Sequence, residues 1–516
     1  MNLHRMLGRR AEEGRPVRIG IIGAGKFATM FLAQARHTPG MHVMAIADLD
    51  VGRGRNAMAA AGWPSNSAEA PSFSAALENG TTHITEDVAA LIAADGMEVV
   101  VDATGNPIAG ISHALACIEQ GRHIVMVNVE ADALAGPLLA RRAEAAGIVY
   151  SLAYGDQPAL IAEQVDWART GGFEVVAAGK GTKYLPGYHH VTPDDVWSHY
   201  GIDAAHAAAH GLNAQMFNSF LDGTKSAIEM TAVANATGLT PAPDGLHFPP
   251  CGVTELAEKL RPAAEGGLLH HKGQVEVISC LDAEGGDVEG DLRWGVYVVF
   301  EAPGDYSATS FQEYGIKTDS SGRYAGMYKP FHLIGLELGI SIASAALRGE
   351  PTGAPDGFRG DAVATAKRGM KAGDMLDGEG GFTVYATLMP AAASLAADGL
   401  PIGLAHGVRL MRDIAQDEKI RWSDVDIDLT SQAVRIRREM ETLFTPLGGR
   451  GRRRSIKCRN SCRKHRSRNM SETVFTIPCA PWMRAKLHAA GGMWRKWSVK
   501  VWMILAAHFA INRTCC

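Results

Sequence analysis

The run VRIGIIGAGKFATMF, residues 17–31, constrains the fold of this chain more than any other stretch. An apolar strand leads into a glycine-rich turn, G-x-G-x-x-A at Gly23, Gly25 and Ala28, and an amphipathic helix follows. In such a unit the first glycine permits the tight turn, the second lets a pyrophosphate approach the backbone, and the small third residue lets helix and sheet pack closely. The helix N-terminus, with Lys26 and Phe27 in its first turn, then faces the phosphates. A second strand pattern, MHVMAIADLD, carries Asp48, 20 residues after Ala28, where a ribose-binding acid belongs.

Three further strand-like runs, MEVVVDATG, HIVMVN and GIVYSLA, are separated by the helical patterns ISHALACIEQG and ALAGPLLARRAEAAG. Alternation of this kind predicts an α/β, doubly wound parallel sheet of the Rossmann type over residues 1–155. Asp102 to Asn106, including Thr104 and Gly105, and Asn128 to Glu130 fall at strand carboxyl ends, where this architecture places nicotinamide and substrate. Asp48 favours the free 2′-hydroxyl of NAD, whereas Arg53 and Arg55 could meet the 2′-phosphate of NADP or lie as surface arginines on the next helix.

Charge divides the chain unevenly. Residues 447–516 hold 16 Lys and Arg against one acid, Glu472, while the whole chain has a net charge of −4. The preceding body is therefore acidic, which argues against general affinity for nucleic acid or an anionic membrane and for small-molecule chemistry. The tail reads either as a basic arm or as an accretion without a part in the fold; Cys458 and Cys462 lack a second pair to complete a metal site. Its apolar run VWMILAA is too short to span a bilayer, and no signal peptide is visible at the start. Cys117, Cys251 and Cys280 have no paired spacing, so the expected setting is a reducing, cytoplasmic one.

From about residue 156 a long helical pattern, DQPALIAEQVDWART, is followed by the strand patterns FEVVAAGKG, GQVEVISC and RWGVYVVFEA with long connections. An α+β substrate domain with a mixed sheet is expected over 156–350, with substrate in the cleft beside the nucleotide domain. Lys180 and Lys183, in a glycine-containing segment, could deliver an ammonium to a phosphate, carboxylate or carbonyl oxygen, or be merely solvated. In FLDGTKSAIEM, residues 220–230, Asp222, Lys225 and Glu229 are spaced to share one helical face. The stripe reads as surface or as a site, with Asp222 a possible N-cap of the helix that Gly238 stops. Histidines 189, 190, 199, 206 and 210 complete no recognised ligand spacing.

The segments IGIIGAGKFATMFLAQ, VVDATGNP, VNVEADALAGP, GKGTKYLPGYHHVTPD and FLDGTKSAIEMTAVANATGL together resemble homoserine-dehydrogenase-like NAD(P) oxidoreductases with a C-terminal SAF-like domain, among them the 1-deoxy-D-xylulose 5-phosphate reductoisomerase-like enzymes. The resemblance implies a small β-rich SAF-like module over 351–446, a structural cap or dimer contact rather than a lid. It implies NADPH-dependent isomerisation and reduction of 1-deoxy-D-xylulose 5-phosphate, NADP(H) in preference to NAD(H), and a homodimer. A homoserine-like, polyol or sugar-acid dehydrogenase and a non-catalytic NAD(P)-binding regulator are the alternatives, so the substrate is a phosphorylated ketose or a hydroxy or aldehyde acid. The Ser-Glu-His-Asn stretch of the authentic reductoisomerases is missing, and Asn128-Val129-Glu130 stands where sugar oxidoreductases carry Glu-Lys-Pro. Hydride transfer to a carbonyl needs its growing charge met by a cation or proton donor. The expected roles are anion binding by Lys180 or Lys183, and proton donation by Lys225 poised by Asp222 and Glu229. Glu130 and Glu229 are the expected ligands if a divalent Mn or Mg ion takes part.

Overall fold

The computed structural model describes residues 2–209 and 212–445. The basic tail and His210 lie outside the described residues, as do the readings attached to them. Six short strands form the first sheet: β1 (Val17–Ile22), β2 (Met41–Ala47), β3 (His83–Thr85), β4 (Val99–Asp102), β5 (His123–Met126) and β6 (Tyr150–Leu152). All pair in parallel, in the order β3-β2-β1-β4-β5-β6. That order places the reversal of strand direction of travel between β1 and β4, the crevice where doubly wound sheets bind a dinucleotide. Val17, Ile19, Ile21, Val99, Val100 and Val101 are buried, as a sheet covered by helices on both faces requires.

Helix α1 (Lys26–Ala35) follows β1, α2 (Pro107–Gln120) follows β4, and α3 (Val129–Ala145) follows β5. Asn106 and Asn128 cap α2 and α3 through their side-chain oxygens. The chain then enters α4 (Gln157–Thr170), capped by Asp156, and a second, mixed sheet. That sheet has the order β10-β9-β7-β8, from β7 (Glu174–Thr182), β8 (Gln274–Ser279), β9 (Val296–Glu301) and β10 (Tyr324–Lys329). β7 pairs with β8 in parallel and with β9 antiparallel. Helices α5 (Ala214–Leu221) and α6 (Thr224–Thr237) lie between β7 and β8 in the chain.

After β10 the chain returns to the first sheet. Helix α7 (Gly339–Arg348) packs on α1, β1, β4, β5 and β6, and its Ile342 and Ala343 share a core with Val17, Ile19, Ile21 and Leu32. This segment, read from sequence as part of the substrate domain, closes one face of the nucleotide-binding sheet. The third module holds β11 (Gly360–Ala366) paired with β13 (Val384–Pro390), and β12 (Met375–Asp377) beside β14 (His406–Leu410) and β15 (Val425–Asp426). Its last helix, α8 (Gln432–Phe444), packs back on α2 and α3. Arg437 is wholly buried there, donating to Asp361 Oδ2 at 2.6 Å, Glu441 Oε1 at 2.8 Å and the Leu134 carbonyl at 3.2 Å. Among the described residues no helix is long and apolar enough to cross a membrane.

One buried carboxyl in α3 ties stability to pH. Asp132 is fully buried, accepts from Tyr150 Oη at 2.9 Å, and its other oxygen has no partner. Burial pushes it up to about 7 from an ordinary 3.8, against the lowering effect of the Tyr150 hydrogen bond. Between those two pH values the folded chain binds the extra proton, so this contribution is complete below the unfolded value and is lost as pH rises through the folded one. Asp132→Asn is therefore expected to remove a destabilisation of a few kcal/mol at about pH 8 and to change little at about pH 4. Urea unfolding of both proteins at the two pH values checks it.

Candidate functional site

The glycine turn has the shape that a phosphate needs. Gly23 has a φ of +94°, and a Cβ on it would lie 2.8 Å from the Ala103 carbonyl oxygen, so only glycine fits between β1 and the loop after β4. Gly25 is different: the nearest atom to an added Cβ is an Arg53 guanidinium nitrogen at 3.9 Å, which leaves its outer side open. It forms the N-terminus of α1, Lys26 is exposed, Phe27 is half-buried beside it, and Ala28 is buried against the sheet. These residues fit a dinucleotide pyrophosphate.

Asp48 is 9% exposed and braces the turn, accepting from Ala24 N at 2.7 Å and from Asp50 N at 3.0 Å. Arg53 lies 3.7 Å from the same carboxylate with most of its length in solvent. The acid and the arginine thus stand side by side at the ribose end of the crevice. At the opposite end, Asp102 Oδ1 accepts from Thr104 N at 2.9 Å and Thr104 Oγ1 at 2.7 Å. Asn128 is buried and fully used: Nδ2 donates to Thr104 Oγ1 at 3.1 Å and the Asn106 carbonyl at 2.8 Å, while Oδ1 accepts from Ala131 N. It latches the loop through Thr104 and Gly105 to the start of α3.

Helix α6 meets this end of the sheet. It packs on α3 and α4, on β7 and β8, and on β11 and β13, and it is buried along nearly its whole length. Each charge on such a helix needs a partner from another element. Lys225, in its first turn, forms an ion pair with Glu130, in the first turn of α3 just beyond β5. Glu229, one turn further on, pairs with the buried Lys180 of β7, and the Gln157 amide donates to both its oxygens at 3.1 and 3.2 Å. Asp222 precedes the helix; its Oδ1 accepts from Thr224 N at 2.8 Å and its Oδ2 lies 2.7 Å from Lys367 Nζ of the third module.

This corrects the single-stripe expectation. Gly223, with φ +85°, occupies the cap position of α6, so Asp222 sits outside the helix, with one oxygen on Thr224 N and the other beside Lys367. Lys225 is poised by Glu130, Glu379 and Glu229 instead of Asp222. Burial works against its charge, but those carboxylates outweigh it and hold the ammonium above the ordinary lysine range. Lys180 joins the cluster, whereas Lys183 does not: its ammonium donates to the His199 carbonyl at 2.5 Å and lies over the Tyr200 ring.

Sequence reasoning missed three members. Asp156, whose backbone follows β6, is pushed up to about 6 by burial and by Glu229, with Lys225 and His332 opposing. Glu379, from the loop after β12, is pushed up to about 7 by burial and by Glu130. Lys367, on the turn after β11, is buried with Asp222 and donates to the Val191 and Gly381 carbonyls at 2.8 Å each. An acid just before a helix and a Glu between glycines both pass for turn residues, so only the fold reveals them. Among the described residues no group of three or more His, Cys, Asp or Glu is arranged to hold a metal ion. Glu130 and Glu229 each bind a lysine, and the donor set as it stands does not fit a divalent ion.

Residues 155–338 match the family model described as the catalytic domain of oxidoreductase DRL. No curated protein matches the chain significantly in sequence. Among solved structures, an oxidoreductase from Agrobacterium radiobacter in complex with NAD+, L-tartaric acid and magnesium is 18% identical over 35% of this chain and 46% of its own, with a TM-score of 0.24. The chain thus spans under half the length of that relative. A probable dehydrogenase from Thermotoga maritima is 13% identical over 65% of this chain and 90% of its own, with a TM-score of 0.32. Dihydrodipicolinate reductase from Paenisporosarcina sp. TG-14 is 12% identical over 65% and 97%, with a TM-score of 0.31. These likenesses are remote, and the fold class rests on the strand order itself.

The chain thus carries a match to an oxidoreductase catalytic domain over residues 155–338. Its matched catalytic domain begins as the six-stranded sheet ends and stops where α7 returns to that sheet.

The buried Asp222–Lys367 pair carries a stability prediction. Lys367→Met leaves a wholly buried carboxylate without its cation, and a loss of about 3–5 kcal/mol is expected. Adding Asp222→Asn should recover part of it, and the urea midpoints of the two variants decide.

Proposed function

We propose that the protein catalyses NAD(P)H-dependent reduction of a carbonyl, or its reverse, with Lys225 as the group that meets the substrate oxygen. The observation that carries this is the Lys225–Glu130 pair, which brings an ammonium from the catalytic domain to the carboxyl end of β5. The dinucleotide, held by the Gly23–Gly25 turn and α1, supplies hydride at that end of the crevice when bound. Lys225 donates a hydrogen bond, and then the proton, to the oxygen that gains charge. Glu130 and Glu229 keep the side chain in place and charged. Asp156, pushed up to about 6 by burial and by Glu229 with Lys225 opposing, is a carboxyl able to return that proton.

Within this reading the resemblance favours a phosphorylated ketose, reduced after rearrangement as in the 1-deoxy-D-xylulose 5-phosphate reductoisomerase-like enzymes. A divalent ion for that rearrangement would have to take Glu130 from Lys225 or Glu229 from Lys180. The pairing of both carboxylates with lysines supports the second reading, a dehydrogenase of hydroxy acids or polyols that needs only hydride and proton transfer. NADP(H) is the favoured cofactor because Arg53 lies beside Asp48 at the ribose end with its guanidinium accessible.

Loss of absorbance at 340 nm on adding 1-deoxy-D-xylulose 5-phosphate to protein and NADPH, with and without Mn²⁺, tests the first reading; a panel of hydroxy acids and polyols with the oxidised cofactor tests the second. Lys225→Ala is expected to lower turnover on the active substrate by at least about tenfold. A smaller loss would return the residue to a structural role. Gly25→Val should fold normally, since its backbone is extended and its outer side open, yet bind the cofactor at least about tenfold more weakly. Arg53→Ala should weaken NADPH by a similar factor of about ten and leave NADH unchanged, as read by fluorescence titration.

A further inference from the structure

We propose that His113, on the buried side of α2, is a positioning residue for the nicotinamide half of the dinucleotide. Through Asp102 it fixes the loop from Ala103 to Asn106, at the carboxyl end of β4, where a doubly wound sheet places the nicotinamide. It therefore governs affinity for that half and leaves the ADP-ribose half alone. The inference rests on the reading of the crevice given above as a nicotinamide dinucleotide site.

Helix α2 packs its small and apolar residues inward: Gly110, Ile111, Ala114 and Cys117 are buried. A Cβ on Gly110 would lie 2.6 Å from Asn128 Nδ2 and 2.7 Å from Ala131 Cβ, so here α2 rests directly on the start of α3. His113, three residues on, falls on the same face of the helix. Its side chain keeps only 15% of its surface in solvent, and its Nδ1 donates to Asp102 Oδ2 at 3.0 Å. An imidazole on the packed side of a helix needs a polar partner, and the last residue of β4 supplies it.

Asp102 depends on that bond as much as His113 does. Its carboxylate is wholly buried, and among the described residues Oδ2 has no second donor. Oδ1 holds the loop, through Thr104 N at 2.9 Å and Thr104 Oγ1 at 2.7 Å. Asn128 grips the same loop from α3, but only at Thr104 Oγ1 and the Asn106 carbonyl; the Thr104 amide rests on Asp102. A buried carboxylate oxygen stripped of its donor is costly, so without His113 the carboxyl turns to find another partner, and the same turn takes Oδ1 off Thr104. On its other side the loop already touches the glycine turn, with Thr104 N 3.2 Å from a Cβ placed on Gly23. The ribose end is braced separately, by Asp48 on Ala24 N and Asp50 N, and shares no hydrogen bond with this set.

The test needs no substrate. Calorimetric titration of the full chain compares NADPH with 2′-phospho-ADP-ribose, and NADH with ADP-ribose, pairs that differ only in the nicotinamide. His113→Leu should weaken the dinucleotide at least about tenfold and leave its fragment within about twofold. His113→Asn, whose amide nitrogen can stand where Nδ1 stands, should bind both within about threefold of wild type. Dinucleotide affinity unchanged in His113→Leu, or dinucleotide and fragment weakened alike, would overturn the proposal. Should the leucine prevent folding, imidazole NMR spectra of the wild type with isotope-labelled histidine decide, His113 being assigned by its absence from His113→Asn. The dinucleotide should shift that signal and the fragment should not; a signal that neither moves, or that both move alike, would overturn the proposal. A wild type that binds neither dinucleotide would sink the cofactor reading and this inference with it, whereas binding that His113→Leu leaves intact sinks this inference alone.

Discussion

A helix that is buried on every side cannot leave a charge unpaired, and α6 is such a helix. Its neighbours come from all three modules: α3 from the first, α4, β7 and β8 from the second, β11 and β13 from the third. The charged groups along it and at its entry are answered by separate elements, Lys225 by Glu130, Glu229 by Lys180, Asp222 by Lys367. Two uncharged polar side chains, one at each end, are likewise answered from the third module. Thr224 Oγ1 accepts from Ala386 N at 3.0 Å, and Asn235 Oδ1 accepts from Arg359 N at 2.7 Å and Gly360 N at 3.1 Å. Cost therefore attaches to separating any module from the other two, because each separation strands a buried polar group. The proposed chemistry uses the least buried of these pairs, Lys225–Glu130.

How much of this was legible in the chain depends on the range of the physics involved. The glycine turn, Ala28 and Asp48 were legible because turn geometry and helix packing act over a few residues, and the structure places them as the pattern requires. The helix from Thr224 to its stop at Gly238 was legible for the same reason. Lys180, Lys225, Glu229 and Glu130 were singled out, yet their pairing was not, since spacing along a helix says nothing about what approaches from another module. Lys183 shows the other side of that gap: three residues beyond Lys180, it leaves the strand and ends on the His199 carbonyl in a short helix further along the chain. Asp222 was read as a cap because an acid before a helix usually is one. Here a buried lysine from far along the chain competes for it, and one of its oxygens serves each role.

The two halves of the crevice differ in how they are held. At the ribose end, Asp48 and Arg53 are local to one β-α unit, and Arg53 is mostly in solvent. At the other end, Asp102, Thr104 and Asn128 are linked through hydrogen bonds to one another and to the Asn106 carbonyl. Rigidity is thus concentrated where a reacting carbon must be aimed to within fractions of an ångström. Latitude is left where only a hydroxyl or phosphate is to be distinguished.

Helix α7 gives the chain an unusual order of assembly. The parallel sheet is drawn from the first part of the chain, but the helix that covers Val17, Ile19 and Ile21 is made only after the whole second sheet has been threaded out and back. During synthesis the strands of the first sheet emerge early and wait, with that face covered only in part by α1 and other early segments, while the catalytic domain is translated. The domain that begins first is finished late. Its reliance on a distant segment adds long-range contacts that slow folding, and it makes the completed cofactor site a sign that the catalytic domain has already been delivered.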